Sequence, residues 1–421
     1  MSELFTNTQL EGLANITMGQ SPGSERYNKE ERGLPFLQGC AEFGPRHPEP
    51  EIHCYPPLRV AKQGSILISV RAPVGTMNMA DQDYCIGRGL GAIHGISGVA
   101  DTSFLRYAIE QNVRFLHRRS QGSTFLAIGS DDLRRLPLPK LDIKIQERIS
   151  EVLETVDGAI EKTESLIAKY QQIKAGLMHD LFTRGVTADG KLRPPREQAP
   201  ELYHETPIGW IPKEWRISDL SECTQYDITY GIVQAGPHIE GGIPYIRTGD
   251  MAGDRLERGT LLCTSPRIAS AYKRSEVRAG EIVCAIRATV GKVMDVPAEL
   301  DGANLTQGTA RISPRSDVDR RFLLWAMRSA AVQRSFMQRI KGTTFSEITL
   351  GELRSIPLPR PNSPNEQKMI GERLDHAEQY LQVEQNLLAK MIYKKGGLLH
   401  DLLTGKVRVP LEAPTKEVAR V

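Results

Sequence analysis

The sequence predicts an α+β protein built from two similar α/β globules and two long antiparallel coiled-coil helices. Three observations predict this class: segments that repeat half a chain apart, short strand-type runs punctuated by glycine, and two long stretches with helical apolar spacing. Because the two halves repeat in tandem, the predicted molecule has pseudo-twofold symmetry.

The tandem duplication is visible in three pairs of segments that occur in the same order. GSTFLAIGSDDLRRLPLP at 122–139 matches GTTFSEITLGELRSIPLP at 342–359, 220 residues later. GLMHDLFTRGV at 176–186 matches GLLHDLLTGKV at 397–407, and SVRAPVG matches AIRATVG. Since the offset changes by only a few residues, one unit of about 200 residues is repeated.

Each half begins with a region of short β-type runs bounded by turn residues. SILISV at 65–70 and EIVCAI at 281–286 are both preceded by glycine and followed by a turn, a pattern typical of mixed β globules. Apolar residues at spacings of three and four predict one helix in each globule. These helices are predicted at 102–118 and 320–339.

Each globule is followed by a long amphipathic stretch, at 145–182 and at 366–403. Leu136-Pro-Leu-Pro139 and Ile356-Pro-Leu-Pro359 precede them and predict an extended exit, because proline lacks an N–H and restricts its neighbour. At 1.5 Å per residue each helix would be about 55 Å long. The predicted domains are a first globule 1–141, a first spacer helix 142–184, a linker 185–206, a second globule 207–361, a second spacer helix 362–405 and a tail 406–421.

The apolar stripes of the two long helices are expected to bury each other in an antiparallel pair, with the globules at opposite ends. An exposed stripe of that length would make the chain associate with itself. Packing of each helix on its own globule or on a partner stays open.

The composition is that of an ordinary soluble protein, with 25% charged and 40% hydrophobic residues. No apolar run approaches the roughly 20 residues of a membrane span, and the first residues lack the features of a secretory signal. Six cysteines without a CxxC pair argue against a disulfide framework or a zinc site. We expect a cytoplasmic protein with no metal and no membrane partner.

Motifs for catalysis are absent from the sequence. It has no GxxxxGK[ST] phosphate loop, no GxSxG elbow, no HExxH pair and no glycine-rich AdoMet loop. His179-Asp180 and His400-Asp401 are interpreted as capping or packing residues, because adjacent helical side chains point about 100° apart. The chain is therefore expected to be non-catalytic.

The net charge of +3 is too small to indicate a nucleic-acid partner, but basic residues recur at one place in both halves. They precede Gly122 and Gly342, and they are either a solvated helix face or a set of phosphate contacts. These residues are Arg114, His117, Arg118 and Arg119 in the first half and Arg334, Arg339 and Lys341 in the second.

These motifs resemble the specificity subunit of Type I restriction-modification enzymes over essentially the whole chain. The resemblance rests on the Leu-Pro-x-Pro and Ile-Pro-x-Pro exits, the helices that end in Leu-x-His-Asp-Leu, and two linker motifs. The linker motifs are Asp189-Gly-Lys-Leu-Arg193 and Gly209-Trp-Ile-Pro-Lys-Glu-Trp215. The first half lacks a Gly-Trp-Ile-Pro motif, and Met1 to Leu13 is a shortened version of that segment.

The resemblance implies that each globule is a target-recognition domain, which reads one half of a two-part site in double-stranded DNA with a non-specific gap. The paired helices would set the gap, two methyltransferase subunits would dock on them, and motor-nuclease subunits would join. AdoMet, ATP and Mg²⁺ are expected on those partners only, and this chain would hold no cofactor. The predicted partner-binding residues are Ile160, Ile167, Tyr170, Leu381, Leu388 and Met391. The alternative is a non-catalytic adaptor whose two globules bind proteins.

Candidate DNA contacts follow from side-chain chemistry. Small hydroxyl residues beside glycine let the backbone approach phosphates, Gln pairs bidentately with adenine, and Arg pairs with guanine. The predicted phosphate contacts are Arg118, Arg119, Ser123, Thr124, Arg339, Lys341, Thr343 and Thr344. The predicted base readers are Gln20, Gln38, Gln121, Gln234 and Arg247, each of which is alternatively a solvated loop residue. Arg71 and Arg287 either contact DNA or brace a turn.

Overall fold

The computed structural model describes residues 6–120, 127–253, 255–342 and 346–410. The chain divides into two compact units. Unit 1 is formed by the described residues of Met1–Glu164 and Asn386–Val421, and unit 2 by those of Ser165–Gln385. The division falls within the two long helices rather than at the predicted domain boundaries, so each helix contributes one segment to each unit.

Both predicted long helices are confirmed, and each contains 41 residues. The α-helices of the described residues are α1 (Thr102–Arg119), α2 (Ser130–Arg134), α3 (Ile143–Thr183), α4 (Pro266–Ala271), α5 (Arg320–Arg328), α6 (Ala330–Arg339), α7 (Leu350–Arg354) and α8 (Pro364–Thr404).

The single helix predicted at 320–339 is wrong, because the structure divides it at Ser329. This residue has an extended ψ of 148°, and its hydroxyl donates to the carbonyl of Ala326 at 2.7 Å. A serine side chain that bonds the local backbone competes with the helical pattern.

The described strands are short and are distributed equally between the halves. Those of the first half are β1 (Thr6–Gln9), β2 (Ala14–Met18), β3 (Tyr27–Asn28), β4 (Leu34–Leu37), β5 (His53–Cys54), β6 (Val60–Ala61), β7 (Ile66–Ser69), β8 (Met77–Met79), β9 (Tyr84–Ile86), β10 (Leu90–Gly95) and β11 (Pro137–Lys140). Those of the second half are β12 (Tyr203–Thr206), β13 (Gly209–Pro212), β14 (Trp215–Asp219), β15 (Thr229–Tyr230), β16 (Ile243–Ile246), β17 (Cys263–Thr264), β18 (Ile282–Ala285), β19 (Val293–Asp295), β20 (Asn304–Leu305), β21 (Thr309–Ile312) and β22 (Pro357–Pro361).

The two units share one sheet topology. Unit 1 has a four-stranded sheet in the order β2-β10-β7-β8, and unit 2 has one in the order β15-β21-β18-β19. Beside it, β4 pairs in parallel with β9, and β16 pairs in parallel with β20. The central strands β7 and β18 are buried along their whole length, which agrees with their continuous apolar sequences. The duplication therefore extends from the sequence to the strand order.

Both predicted exits are strands that pair on one side with a strand from the start of their own globule. β11 pairs antiparallel with β1, and β22 pairs antiparallel with β14. Proline cannot donate to a ladder, so a strand that contains it is suited to such an edge position.

The long helices run antiparallel to each other inside each unit. In unit 1, Asp157 lies 2.7 Å from Lys395, and the Thr163 hydroxyl lies 3.9 Å from the sulfur of Met391. In unit 2, Lys174 lies 2.6 Å from Glu378. The rings of Tyr170 and Tyr380, also in unit 2, have centroids 6.3 Å apart. In both units the residue number therefore rises along one helix as it falls along the other, and the predicted antiparallel pairing is confirmed.

A buried glutamine near the start of α3 joins that helix to the globule of unit 1. Gln146 has no exposed surface, and its Oε1 accepts the backbone N–H of Asp101 at 3.1 Å. Its Nε2 donates to the carbonyl of Leu141 at 2.8 Å, directly after β11. Asp101 in turn caps α1 by accepting the N–H of Phe104 at 2.7 Å.

Unit 2 repeats this arrangement with Gln367 at the start of α8. Gln367 is also fully buried, and it accepts the N–H of Asp319 at 2.9 Å and donates to the carbonyl of Pro361 at 2.9 Å. Asp319 caps α5 by accepting the N–H of Phe322 at 2.9 Å. We call each of these two sets, the glutamine with its aspartate and its exit carbonyl, a glutamine clamp.

A second link between globule and long helix also repeats. The Tyr107 hydroxyl donates to Asp157 at 2.7 Å in unit 1, and the Trp325 Nε1 donates to Asp375 at 2.8 Å in unit 2. Burial would raise the pKa of Asp157, but hydrogen bonds from Lys395 and Tyr107 outweigh it and hold this pKa below its usual value. A globule helix is therefore fixed to a long helix by an aromatic polar group in both units.

The segment predicted as a linker, 185–206, belongs to unit 2, where a buried ion pair anchors it. Arg193 donates to Glu366 at 2.6 Å, and both side chains are only 7% exposed. The same carboxylate accepts Trp215 Nε1 at 3.0 Å and the Val186 N–H at 2.9 Å. The proline, glycine and charged residues of this segment predicted a linker. Arg193 is nevertheless buried, because it pairs with Glu366, which lies far along the chain.

Removal of a glutamine clamp should destabilise its unit. Gln146→Ala or Gln367→Ala leaves a buried aspartate N–H and a buried carbonyl without partners, which costs at least about 1–3 kcal/mol of unfolding free energy. Chemical denaturation of the full chain measures this. Gln172→Ala, at an exposed position on α3, is the control and should change stability by less than about 0.5 kcal/mol. Equal effects at both positions would contradict the role of the clamp.

The buried ion pair gives a larger expected effect. Glu366→Gln leaves the Arg193 guanidinium buried beside a neutral group, and the loss of unfolding free energy should be about 3–5 kcal/mol. Glu214, the other carboxylate that contacts Arg193, is 74% exposed. Glu214→Gln should therefore cost less than about 1 kcal/mol in the same denaturation experiment. If the two variants lose the same stability, the buried pair is not what holds this segment.

Candidate nucleic-acid interface

The turn after β2 forms the first part of a polar surface in unit 1. Gly19 lies so close to the backbone of Gly87 that an added Cβ would be 2.1 Å from the Gly87 carbonyl oxygen. Only glycine permits this approach. The next residue, Gln20, donates its backbone N–H to the carbonyl of Ile86 at 3.0 Å, and its side chain is exposed.

Ser21 connects two further polar residues to this turn. Its hydroxyl oxygen lies 3.2 Å from the Gln38 Nε2 and 3.3 Å from the backbone nitrogen of Arg88, both of which act as donors. Gln38 follows β4 and Arg88 follows β9, so the ends of these two parallel strands lie side by side. The structure therefore brings Gln20 and Gln38 together, as candidate base readers, with an arginine that the sequence did not indicate.

Arg71 completes this surface from the central sheet. The N–H of Val70 donates to the Gly89 carbonyl at 2.9 Å, which continues the β7–β10 ladder toward Arg71 and Arg88. Arg71 is exposed, and within the described ranges its guanidinium makes no hydrogen bond or ion pair. We define the polar edge of unit 1 as Gln20, Ser21, Gln38, Arg71 and Arg88.

The basic end of α1 lies next to the turn that follows β7. The His117 ring is 2.9 Å from the carbonyl of Val74, three residues after Arg71. Arg118 and Arg119 are both exposed, and the Arg119 guanidinium lies 4.4 Å from the centre of the Phe115 ring and 3.8 Å from Asp132. Basic residues in the last turn also complement the helix dipole, so their position has a structural cause besides any contact with phosphate.

Unit 2 has the same framework around Gly231. A Cβ there would be 2.0 Å from the Leu305 carbonyl oxygen, and the Ile232 N–H donates to that oxygen at 2.7 Å. The residue that occupies the place of Gln20 is therefore the buried Ile232. Gln234 is exposed two residues further along, so the predicted base readers Gln20 and Gln234 do not lie at equivalent positions.

Arg247 follows β16 and is held by a carboxylate. Its Nε and Nη2 donate to the two oxygens of Asp250 at 3.0 and 2.7 Å, and this hydrogen bonding raises the pKa of Arg247. Gln307 lies after β20, where its N–H donates to the Ile232 carbonyl at 3.0 Å. We define the polar edge of unit 2 as Arg247, Arg287 and Gln307.

Three of the predicted basic residues of unit 2 have partners within the chain. Arg287 lies 3.2 Å from Glu347, and Lys341 lies 2.8 Å from Glu352, whose pKa this lysine lowers to about 2. Arg339 donates to the Ser335 carbonyl at 3.0 Å, which caps its own helix. Exposed ion pairs are weak and a phosphate can displace them, so Arg287 and Lys341 stay predicted contacts, whereas Arg339 has a structural role.

Five predicted residues lie outside the described ranges. Gln121, Ser123 and Thr124 precede the bridge between Arg71 and Ala127, and Thr343 and Thr344 precede the bridge between Arg287 and Glu347. They stay predictions. The sequence missed Ser21, Arg88 and Gln307, although glycines on both sides of Arg88 and after Gln307 were a signal of a tight turn at a strand end.

The two His-Asp pairs make structural contacts. Asp180 lies 3.5 Å from Arg184 one helical turn later, and the His400 ring is 3.1 Å from the Gln111 amide. In the described ranges no group of three or more His, Cys, Asp or Glu residues is placed to hold a metal ion. None of the described helices has the length and apolar character needed to cross a membrane.

A family model described as a Type I restriction modification DNA specificity domain matches residues 51–170 and 212–391. The two matches fall in the two halves that the duplication defines, and together they cover most of the chain.

Specificity subunits are also among the similar proteins. A putative type I restriction enzyme MjaX specificity subunit of Methanocaldococcus jannaschii is 38% identical over 178 residues, which are 42% of this chain and 40% of that protein. The type I restriction enzyme MjaVIII specificity subunit of the same organism is 23% identical over 74% of this chain and 71% of its own length. For the EcoBI specificity subunit of Escherichia coli the identity is 24%, over 74% of this chain and 66% of that protein.

Two solved structures share the fold. The S subunit of a Type I restriction-modification system from M. genitalium has a TM-score of 0.64 at 17% identity, and the match covers 96% of this chain and 97% of that one. A chain from a study of complex assembly and conformational transition of the type I R-M system has a TM-score of 0.54 at 17% identity, with 97% and 99% covered.

The close approach at Gly19 supports the polar edge and can be tested. Gly19→Ala places a methyl group against the Gly87 backbone, so the strand ends must separate at a cost of roughly 1–3 kcal/mol of unfolding free energy. Gly39→Ala is the matched control, because nothing lies within 4 Å of a Cβ at that position. Thermal denaturation of both variants measures the difference. Equal midpoints would show that the two turns do not pack as described.

Proposed function

Because this chain belongs to the Type I restriction modification DNA specificity family, we propose that it reads a two-part sequence in double-stranded DNA, one part with each unit. The observation that carries this proposal is the repeated polar edge. Arginine and glutamine side chains that are exposed or half-buried converge there on the ends of packed strands, and Gly19 and Gly231 fix the turns of the two units.

The chemistry of the edge of unit 1 matches the two tasks of a DNA reader. Arg71 is an exposed cation without a carboxylate partner in the described ranges, which suits a backbone phosphate. Gln20 and Gln38 offer an amide donor and acceptor on one side chain, which suits the major-groove edge of adenine. Packed strands position the backbone of these residues, so binding needs to order only their side chains.

We also propose that this chain is non-catalytic and that two methyltransferase subunits and motor-nuclease subunits assemble on it in the cytoplasm. AdoMet, ATP and Mg²⁺ would then be bound by those subunits. This proposal rests on the family and on the sequence, which lacks the motifs of those cofactor sites.

The long helices are the proposed docking surface for the methyltransferase, with a revised set of residues. Ile167 and Leu381 are only 9% and 5% exposed, so they leave the set. Ile160, Tyr170, Leu388 and Met391 stay predicted contacts. Other apolar side chains on α3 and α8 are far more exposed. They are Ile173, Tyr380 and Val383 in unit 2 and Leu387, Ile392 and Tyr393 in unit 1.

The proposed function is tested by mapping methylated adenines and cytosines in a host that expresses this chain with a Type I methyltransferase partner. The expected result is one motif with two short specified parts and an unspecified gap. Omission of this chain should abolish that methylation. A continuous palindromic motif, or unchanged methylation without the chain, would contradict the proposal, and binding of proteins but not DNA would favour the adaptor alternative.

Arg71→Ala should weaken DNA binding without a change in sequence preference. A lost phosphate contact lowers the affinity for every duplex by a similar factor and reduces the slope of log affinity against log salt by about 1. Arg32→Ala is the control, because this exposed arginine lies at the opposite end of β4 from Gln38. Equilibrium binding at several salt concentrations distinguishes the two variants. An unchanged salt slope in Arg71→Ala would exclude the phosphate contact.

A further inference from the structure

Two positions on the polar edges are structurally equivalent in the two units. The first position directly follows β4 in unit 1 and the corresponding strand β16 in unit 2. Unit 1 has Gln38 there, and unit 2 has Arg247. Their equivalence rests on the parallel pairing, since Leu37 is opposite Ile86 in unit 1 and Ile246 is opposite Leu305 in unit 2.

The second position lies in the turn after β9 and β20. In unit 1, where β7 pairs with β10, Ser69 lies opposite Leu90. In unit 2, where β18 pairs with β21, Ala285 lies opposite Thr309. The Val70 N–H donates to Gly89 at 2.9 Å, and the Ile286 N–H donates to Gly308 at 2.9 Å. Each ladder then ends in a four-residue turn, in which the Leu90 N–H donates to Gly87 at 3.0 Å and the Thr309 N–H donates to Thr306 at 3.1 Å, so Arg88 and Gln307 hold the same position in the two turns.

We propose that Arg88 and Gln307 are base-reading residues, and that each unit reads two base pairs through a glutamine and an arginine at these two positions. This inference rests on the proposed function and deepens it. Unit 1 carries glutamine at the first position and arginine at the second, and unit 2 carries them in the exchanged order. Arg88 and Arg247 therefore contact guanine, and Gln38 and Gln307 contact adenine.

The second position has side chains that are available for this role. Arg88 is exposed, Gln307 is half-exposed, and neither side chain forms a hydrogen bond or ion pair with the residues that the structure describes. Arg71 and Arg88 flank the hydrogen-bonded residues Val70 and Gly89, and neither guanidinium has a carboxylate partner among the described residues, so the two cations favour an electron-rich ligand. The O6 and N7 of guanine supply two acceptors for the Arg88 fork.

The first position has the right groups still free. Gln38 uses one N–H toward Ser21 and retains its carbonyl oxygen and second N–H, which are the two groups that pair with adenine. Arg247 uses its Nε and one Nη2 hydrogen toward Asp250, which leaves the outer Nη1 and Nη2 hydrogens for guanine. The aspartate holds this guanidinium in one orientation.

The two positions are held next to each other by the backbone. A Cβ at Gly89 would lie 2.6 Å from the Gln38 carbonyl oxygen, and Ser21 contacts both Gln38 and Arg88. The exchange between units favours base readout over phosphate contact. A phosphate needs a cation in both units, whereas different bases need different side chains at one position.

The test uses the full-length chain in complex with its methyltransferase partner and a set of duplexes with single base-pair substitutions in the motif. Arg88→Gln should lose at least about tenfold in discrimination at one guanine of one half-site. Gln307→Ala should lose discrimination at one adenine of the other half-site. Arg88→Lys keeps the charge but not the fork, so it should lose the same discrimination at nearly unchanged overall affinity.

The controls lie at the opposite ends of the same strands. Arg32→Gln precedes β4, and Gln225→Ala lies beside Ser313 after β21, where its N–H donates to that carbonyl at 2.8 Å. Both should retain wild-type discrimination at every position, and thermal denaturation verifies that all variants are folded.

Two outcomes would overturn the assignment: unchanged discrimination in Arg88→Gln, Arg88→Lys and Gln307→Ala, or an equal loss of affinity for every duplex. Neither outcome contradicts the proposed function, because the wild-type complex would still select its two-part motif. A wild-type complex without such a motif contradicts the proposed function and the assignment that rests on it.

Discussion

The buried amide of Gln146, and of Gln367 in the second unit, is the interaction on which the architecture of each unit depends. In each unit the glutamine side chain donates a hydrogen bond to a carbonyl at the end of the exit strand and accepts one from the backbone N–H of the aspartate that caps the globule helix. The same residue lies in the first turns of the long helix. A neutral amide suits this place, since it supplies a donor and an acceptor without the desolvation cost of a charge. The direction in which each long helix leaves its globule is thereby fixed.

The duplication separates the elements that must be equal from those that must differ. The clamps, the exit strands and the aromatic-to-aspartate links recur in both units with similar distances. On the polar edges an arginine recurs, as Arg71 and Arg287, whereas the side chains at the two neighbouring positions differ between the units. Gln38 corresponds to Arg247, and Arg88 corresponds to Gln307. A common frame with exchanged edge residues is the arrangement expected of a chain that presents two different surfaces to the two parts of one ligand.

The sequence predicted the long helices and the proline exits because period and proline chemistry are local properties. It could not predict the clamps, since a glutamine in the first turn of an amphipathic helix has the same local pattern whether it is solvated or buried. The packed segment at Arg193 was missed for a related reason, because its partner Glu366 lies 173 residues away. The break at Ser329 depends on a side-chain contact with the backbone, which spacing does not reveal.

For the polar edges, the residue types could be predicted but their alignment could not. Gln20 and Gln234 were both predicted as base readers, but the close approach of Gly231 to Leu305 places Ile232 rather than Gln234 at the position that corresponds to Gln20. Site-specific photo-crosslinking of the DNA-bound complex tests the central claim most directly, with the probe at position 88 or 307. The account predicts crosslinks to bases of one half-site from position 88 and of the other from position 307, with none from positions 32 and 225. Crosslinks to the same half-site from both, or only from positions 32 and 225, would contradict it.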